Sequence, residues 1–116
     1  MSKYNNKKIT IDGIKFDSMR EGARYEEIKL LHRLESDPKK RPMTIDVQPV
    51  FILQECFTDY TGKKHRAIKY VADFKIVYED GRVEVEDVKG FLTSVYKLKR
   101  KMFLFAFPEI IFKETY

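Results

Sequence analysis

The sequence predicts an α/β fold in a single domain spanning residues 1–116, with a central mixed β-sheet flanked by helices, and three observations predict it. Two segments, Met19 to Glu35 and Ser94 to Phe107, carry apolar residues at helical spacing and have capping signals ahead of them. Between these segments lie runs rich in Val, Ile, Tyr and Phe that alternate with polar residues and break at turn signals. The chain of 116 residues is 43% hydrophobic, with seven tyrosines and nine phenylalanines, which is enough to bury a core without disulfides or a structural metal.

The elements follow in order. Ile9 to Phe16 alternates around Asp12-Gly13, the strongest short-range hairpin signal. Ser18-Met19-Arg20-Glu21 reads as a capping box, and Ala23, Ile28, Leu31 and Leu34 then recur at helical spacing until Asp37-Pro38 stops the pattern. Asp37 to Pro42 is a polar, basic loop. Thr44 to Phe57 has strand composition interrupted by Pro49, which argues for an edge position or a bulge. Thr58 to Arg66 reads as a second basic loop, Ala67 to Tyr78 as one long strand, and Val83 to Val88 as its partner across Asp80-Gly81. Gly90 ends that strand, Thr93 or Ser94 caps the second helix, Val95, Leu98, Met102 and Phe105 are its expected core face, and Ile110 to Phe112 supplies a last strand.

Lys and Arg outnumber Asp and Glu by 23 to 18, for a net charge of +5, and the excess clusters at Lys39 to Arg41, Lys63 to Arg66 and Lys97 to Lys101. Clustered cations suit a polyanion, because neutralised phosphates release condensed counterions, although solvated basic loops explain the same pattern. Cys56 stands alone, which excludes an internal disulfide and a Cys-rich zinc site. With no apolar leader and no run approaching the ~20 residues of a membrane helix, a soluble, cytoplasmic protein is expected.

Chemistry concentrates on one hairpin. Asp73 lies in Tyr70-Val71-Ala72-Asp73-Phe74, an ionisable group in an apolar strand that needs a partner or a metal. In Glu86-Asp87-Val88-Lys89-Gly90, Asp87 and Lys89 are two residues apart and share a face. A two-residue Asp80-Gly81 loop would set Asp73 and Asp87 on opposite faces. A three-residue loop, Glu79-Asp80-Gly81 with Gly81 left-handed, pairs Tyr78 with Arg82 and hence Asp73 with Asp87, and is preferred. Two facing carboxylates repel unless a cation joins them, so Mg²⁺ or Mn²⁺ is the expected cofactor, able to activate water against a phosphodiester beside Lys89.

Asp73 followed by Asp87-Val88-Lys89 on the next strand resembles the Asp and (Asp/Glu)-x-Lys motifs of PD-(D/E)XK nucleases, with Asp where Glu is commoner. That resemblance implies a restriction-endonuclease-like fold and a metal-binding Glu on the first helix, and so assigns Glu21 beside its capping role, with Glu26 as the fallback. The segments Phe16-Asp17-Ser18, Tyr70 to Phe74, Glu86 to Gly90 and Tyr96 to Met102 are further similar to small phage-encoded Holliday junction resolvase-like endonucleases. This implies a phage gene acting in a bacterial host cytoplasm on branched DNA in recombination, and a homodimer to make two symmetric cuts. The expected catalytic set is Glu21, Asp73, Asp87 and Lys89, with the three carboxylates as metal ligands and Lys97, Arg100 and Lys101 contacting DNA. A nuclease for nicks, flaps or ends, or a non-catalytic basic DNA-binding module, are the alternatives. Gln48 is a minor candidate for the same cleft, His32 and His65 lack partners at ligand spacing, and Tyr25, Phe91 and Tyr96 read as core before base-stacking residues.

Overall fold

The computed structural model describes residues 7–89 and 92–115; the strand end expected at Gly90 and any stacking by Phe91 lie outside them. In chain order the elements are β1 (Ile9–Ile11), β2 (Ile14–Phe16), α1 (Met19–Leu34), β3 (Pro42–Val47), β4 (Val50–Gln54), β5 (Phe57–Thr58), β6 (Lys64–His65), β7 (Ile68–Val71), β8 (Phe74–Tyr78), β9 (Val83–Val88), α2 (Ser94–Ala106) and β10 (Ile111–Thr115). A four-stranded sheet ordered β10-β9-β8-β3 forms the centre, and three two-stranded ladders, β1-β2, β4-β7 and β5-β6, are attached to it. It is mixed, because β10 runs parallel to β9 while β8 runs antiparallel to both β9 and β3. The chain is thus a single small α/β domain with a central mixed sheet and two helices, as its periodicities predict.

The two helices cover opposite faces of the sheet. Phe74, Ile76, Tyr78 and Val88 pack with Tyr25 and Ile28 of α1 and with Phe16, whereas Val85 packs with Tyr96 and Phe103 of α2, Tyr70 and Ala72. Alternation along β8 and β9 explains the partition, since side chains two apart share a face. The first hairpin closes through Asp12 (φ 54°) and Gly13 (φ 78°), both left-handed, and pairs Ile11 with Ile14. Ser18 Oγ accepts from Glu21 N at 3.2 Å and starts α1.

Three expectations are corrected. The 67–78 segment is not one strand: it breaks at Ala72-Asp73 into β7 and β8, which pair with different partners. The opposing segment breaks at Gln48-Pro49, where Gln48 adopts φ 55°, and Gln48 N to Asp73 O (2.9 Å) and Ala72 N to Pro49 O (3.1 Å) bridge the two breaks. Unbroken alternation would put Tyr70, Ala72 and Phe74 on one face. Instead the first two join the α2 core and the third joins the α1 core. The interruption expected at Pro49, and the edge position of β3, are therefore both present. Second, the 58–66 segment is not only loop, because β5 and β6 form a short hairpin.

Third, both helices are rotated from the expected faces. In α1 the buried residues are Gly22, Tyr25 and Ile28, while Ala23, Leu31 and Leu34 are exposed. Tyr25 wins because its ring packs against Phe16 and Phe74 and its hydroxyl donates to Asp12 (2.9 Å). In α2 the buried residues are Tyr96 and Phe103, while Val95, Leu98 and Phe105 face outward, Phe105 at 90% exposure. Positions 96, 103 and 107 recur at helical spacing too, and their rings interlock with Tyr70, Phe51 and Phe112. Aromatic area outweighs the smaller aliphatic stripe.

Candidate active site

The C-terminal end of β9 gathers the chemistry. Ladder partners Phe74↔Glu86 and Val77↔Val83, with Tyr78 N donating to Arg82 O at 2.9 Å, fix the hairpin register. Gly81 sits at φ 88°, and the loop is the three-residue Glu79-Asp80-Gly81 connection. Asp73 follows directly on the last ladder pair, Phe74↔Glu86, which brings it beside Asp87, close enough for each carboxylate's charge to act on the other.

Asp87 is 1% exposed, so it is not part of a solvated sheet edge. Its Oδ1 accepts from Lys89 Nζ at 2.8 Å and its Oδ2 from the Tyr70 hydroxyl. Asp73 Oδ2 accepts from Val88 N at 2.6 Å. These donors orient the carboxylates, as partners behind a functional group do. The Lys89 ammonium lies 4.2 Å from the centre of the Tyr96 ring, and its carbonyl accepts from Arg20 Nη1 at 3.2 Å, which ties the start of α1 to the end of β9.

Burial and the charges of Asp87 and Glu21 push Asp73 up to about 8. Glu21 is raised as well, chiefly by burial, although a hydrogen bond from Asp17 N opposes the shift; Lys89 lowers it and Asp87 raises it. Glu21 Oε2 accepts from Asp17 N at 3.2 Å, the residue ahead of the N-cap Ser18 and not the N-cap itself as in a capping box, so Glu21 braces the entry to α1 while sensing the charges of the site. Tyr70 is pushed up by burial and by its bond to Asp87, and Tyr96 by burial and its bond to Glu114. Both stay neutral donors.

The structure thus pairs Asp87 directly with Lys89 and places Asp73 and Glu21 within the field of Asp87. Among the described residues, no three His, Cys, Asp or Glu side chains form a ready metal-binding group. Lys97 and Lys101 are exposed on α2, whereas Arg100 reaches Glu114 at 2.7 Å and is committed to that pair. Gln48 donates its side-chain amide to Lys15 O (2.8 Å), His32 contacts Pro42 O and His65 contacts Asp59.

Sequence reasoning missed Glu114, the ladder partner of Asp87, whose carboxylate takes the Tyr96 hydroxyl at 2.5 Å and Arg100. It also missed Tyr70 as a ligand of Asp87. Continued alternation through Phe112-Lys113-Glu114-Thr115 was the available signal for Glu114; Tyr70 had none, because its reach depends on the strand break at Asp73.

Fold and site together define a single-domain α/β protein with a buried and a half-buried aspartate and a lysine at the end of its central sheet. The family model described as Protein of unknown function (DUF1064) matches residues 1–115, and the chain belongs to this family. No curated protein and no solved structure matches the chain.

Proposed function

We propose that this protein is a divalent-metal-dependent endonuclease that hydrolyses DNA phosphodiesters, with branched DNA such as four-way junctions as its substrate. The observation that carries the reading is the closeness of Asp73 to the buried Asp87, which pairs with Lys89. The same three residues carry the likeness to PD-(D/E)XK nucleases, and the net charge of +5 suits a polyanion.

The donor set fits a hard divalent ion. All its ligating atoms are carboxylate oxygens, and the Asp73 carboxyl is raised first by burial and then by the charges of Asp87 and Glu21, which a cation would offset. Mg²⁺ is commonly held by one or two carboxylates with water completing its shell, so Asp73 and Asp87 would be the primary holders and Glu21 the third candidate. Bound there, the ion supplies Lewis acidity toward the phosphodiester and lowers the pKa of the attacking water.

The chain's own residues do the remainder. Val88 N and the Tyr70 hydroxyl hold the carboxylates in orientation. Lys89 balances Asp87 before substrate arrives and offers its ammonium to the charge that grows on the phosphate. Tyr96 beneath Lys89 limits where that ammonium can swing.

The test is cleavage of labelled four-way junction, flap and linear duplex DNA with Mg²⁺ or Mn²⁺, using wild type, Asp87→Asn and Lys89→Ala. Junction cutting that falls at least ~100-fold in both variants and disappears in chelator is expected. Preferential cutting of flaps or ends keeps the nuclease and changes its substrate. Binding of DNA without cleavage under any divalent ion overturns the proposal.

A further inference from the structure

Residues 50–71 form a hairpin excursion that starts at the candidate active site, its first ladder β4-β7 lying against α2 and its outer part projecting from the body as an arm. Its root is the pair of bridges joining Gln48 to Asp73 and Pro49 to Ala72. From there β4 and β7 pair from Val50↔Val71 outward, and β5-β6 continues the excursion. The radius of gyration, 16.4 Å, exceeds the roughly 13 Å of a compact chain of this length, and the longest extent is 57 Å. One side of the root is anchored, because Phe51 and Tyr70 pack against Phe103.

The rest of the arm faces solvent with a distinctive composition. Lys63, Lys64, Arg66 and Lys69 are exposed, and among the described residues none of them forms a side-chain ion pair within the chain. Tyr60 at the tip is 100% exposed and Phe57, stacked on His65, is 46% exposed. The tip is nevertheless built firmly: Asp59 Oδ1 accepts from Thr61 N, Thr61 Oγ1 and Lys63 N, Asp59 Oδ2 contacts His65, and Gly62 turns the chain at φ 88°. Those bonds pull the Asp59 carboxyl down to about 2, so this acid is internally occupied. A stiff projection carrying unpaired cations and a bare aromatic ring has no use for the chain's own packing.

We propose that this arm lies along a DNA duplex and binds its phosphate backbone on one side of the cleavage point. The inference rests on the nucleic-acid reading above but not on catalysis. At about 3.3 Å per residue, the eight to ten residues from root to tip reach roughly 30 Å, about nine base pairs. Lys69 meets phosphates nearest the site and Lys63, Lys64 and Arg66 meet those farther out, while Tyr60 is free to stack where bases are unpaired.

Fluorescence anisotropy with a 30-base-pair duplex and a four-way junction, in chelator and across a salt series, tests this with wild type, Lys63→Ala/Lys64→Ala/Arg66→Ala and a control, Lys39→Ala/Lys40→Ala. The arm variant is expected to bind at least ~10-fold more weakly, with a slope of log K against log salt shallower by about 2–3, while the control changes by less than ~3-fold. Equal losses in both variants, or no loss in the arm variant, overturn the proposal. Cleavage with unchanged arm-variant affinity would keep the nuclease and discard the arm, whereas loss of binding in a protein that never cleaves would keep the arm and discard the nuclease. Unchanged affinity together with a dimer that is dissociated by Ile52→Lys, at an exposed apolar position of β4, would assign the arm to self-association instead.

Discussion

In chelator, Asp73 makes the folded state hold a proton that the unfolded chain releases. Its pKa rises from 3.8 to about 8 on folding, because of burial and the neighbouring charges of Asp87 and Glu21. Between those values the native state binds more protons than the unfolded state, so stability falls as pH rises through the window and is fully present only below it. Thermal unfolding in chelator should therefore show a lower Tm at pH 8.5 than at pH 5, Asp73→Asn should remove most of that slope and stabilise the protein by about 1–3 kcal/mol at pH 8, and Mg²⁺ should raise the wild-type Tm at pH 8.5 but not that of the variant. Glu21 is separable in the same way. Ser18→Ala removes only the bond from Glu21 N and should cost about 1 kcal/mol in urea denaturation with cleavage intact. Glu21→Gln preserves an acceptor for Asp17 N and should leave stability within about 0.5 kcal/mol while lowering cleavage at least ~10-fold. The closeness of Asp73 and Asp87 was legible in the sequence, because the three-residue Glu79-Asp80-Gly81 loop sets the register of their hairpin. Their hydroxyl partner was not, since Tyr70 reaches Asp87 only through a backbone break that no local pattern marks.

At the scale of elements, one ion pair locks α1 to β9. Arg24 Nε and Nη2 meet the two oxygens of Glu86 at 2.6 and 2.9 Å, with the Glu86 side chain 2% exposed. Arg24→Ala would strand a buried carboxylate and should cost about 3–5 kcal/mol, whereas Arg24→Met with Glu86→Leu should recover most of that loss, which urea denaturation of the three proteins would measure. Caps and turns were readable here: Ser18, Thr93, Asp12-Gly13 and the Gly81 loop all behave as their residue types require. Helix faces were not. A 3.6-residue period in α2 is satisfied by Val95, Leu98 and Phe105 as well as by Tyr96, Phe103 and Phe107, and the choice is made by rings and by a carboxylate, Glu114, that arrive from elsewhere in the chain.

At the scale of the whole molecule, the order β10-β9-β8-β3 sets the site at the sheet's centre, with α1 and α2 starting nearby, so the class of fold followed from alternating periods. The arm did not, because its residues look like any polar loop until the paired strands of β4-β7 and β5-β6 are seen to lead away from the body. Among the described residues no helix is long and apolar enough to cross a membrane. The double break at Gln48-Pro49 and Ala72-Asp73 has a consequence for how this chain tolerates changes in length. Each ladder keeps its own phase on its own side of the joint, so residues added in pairs between 53 and 67 would lengthen the reach while Asp73 and Asp87 stay in step. A single residue added between 74 and 86 has no such insulation and would turn one aspartate away from the other. The joint thus separates the part of the molecule free to be resized from the part whose count must be kept.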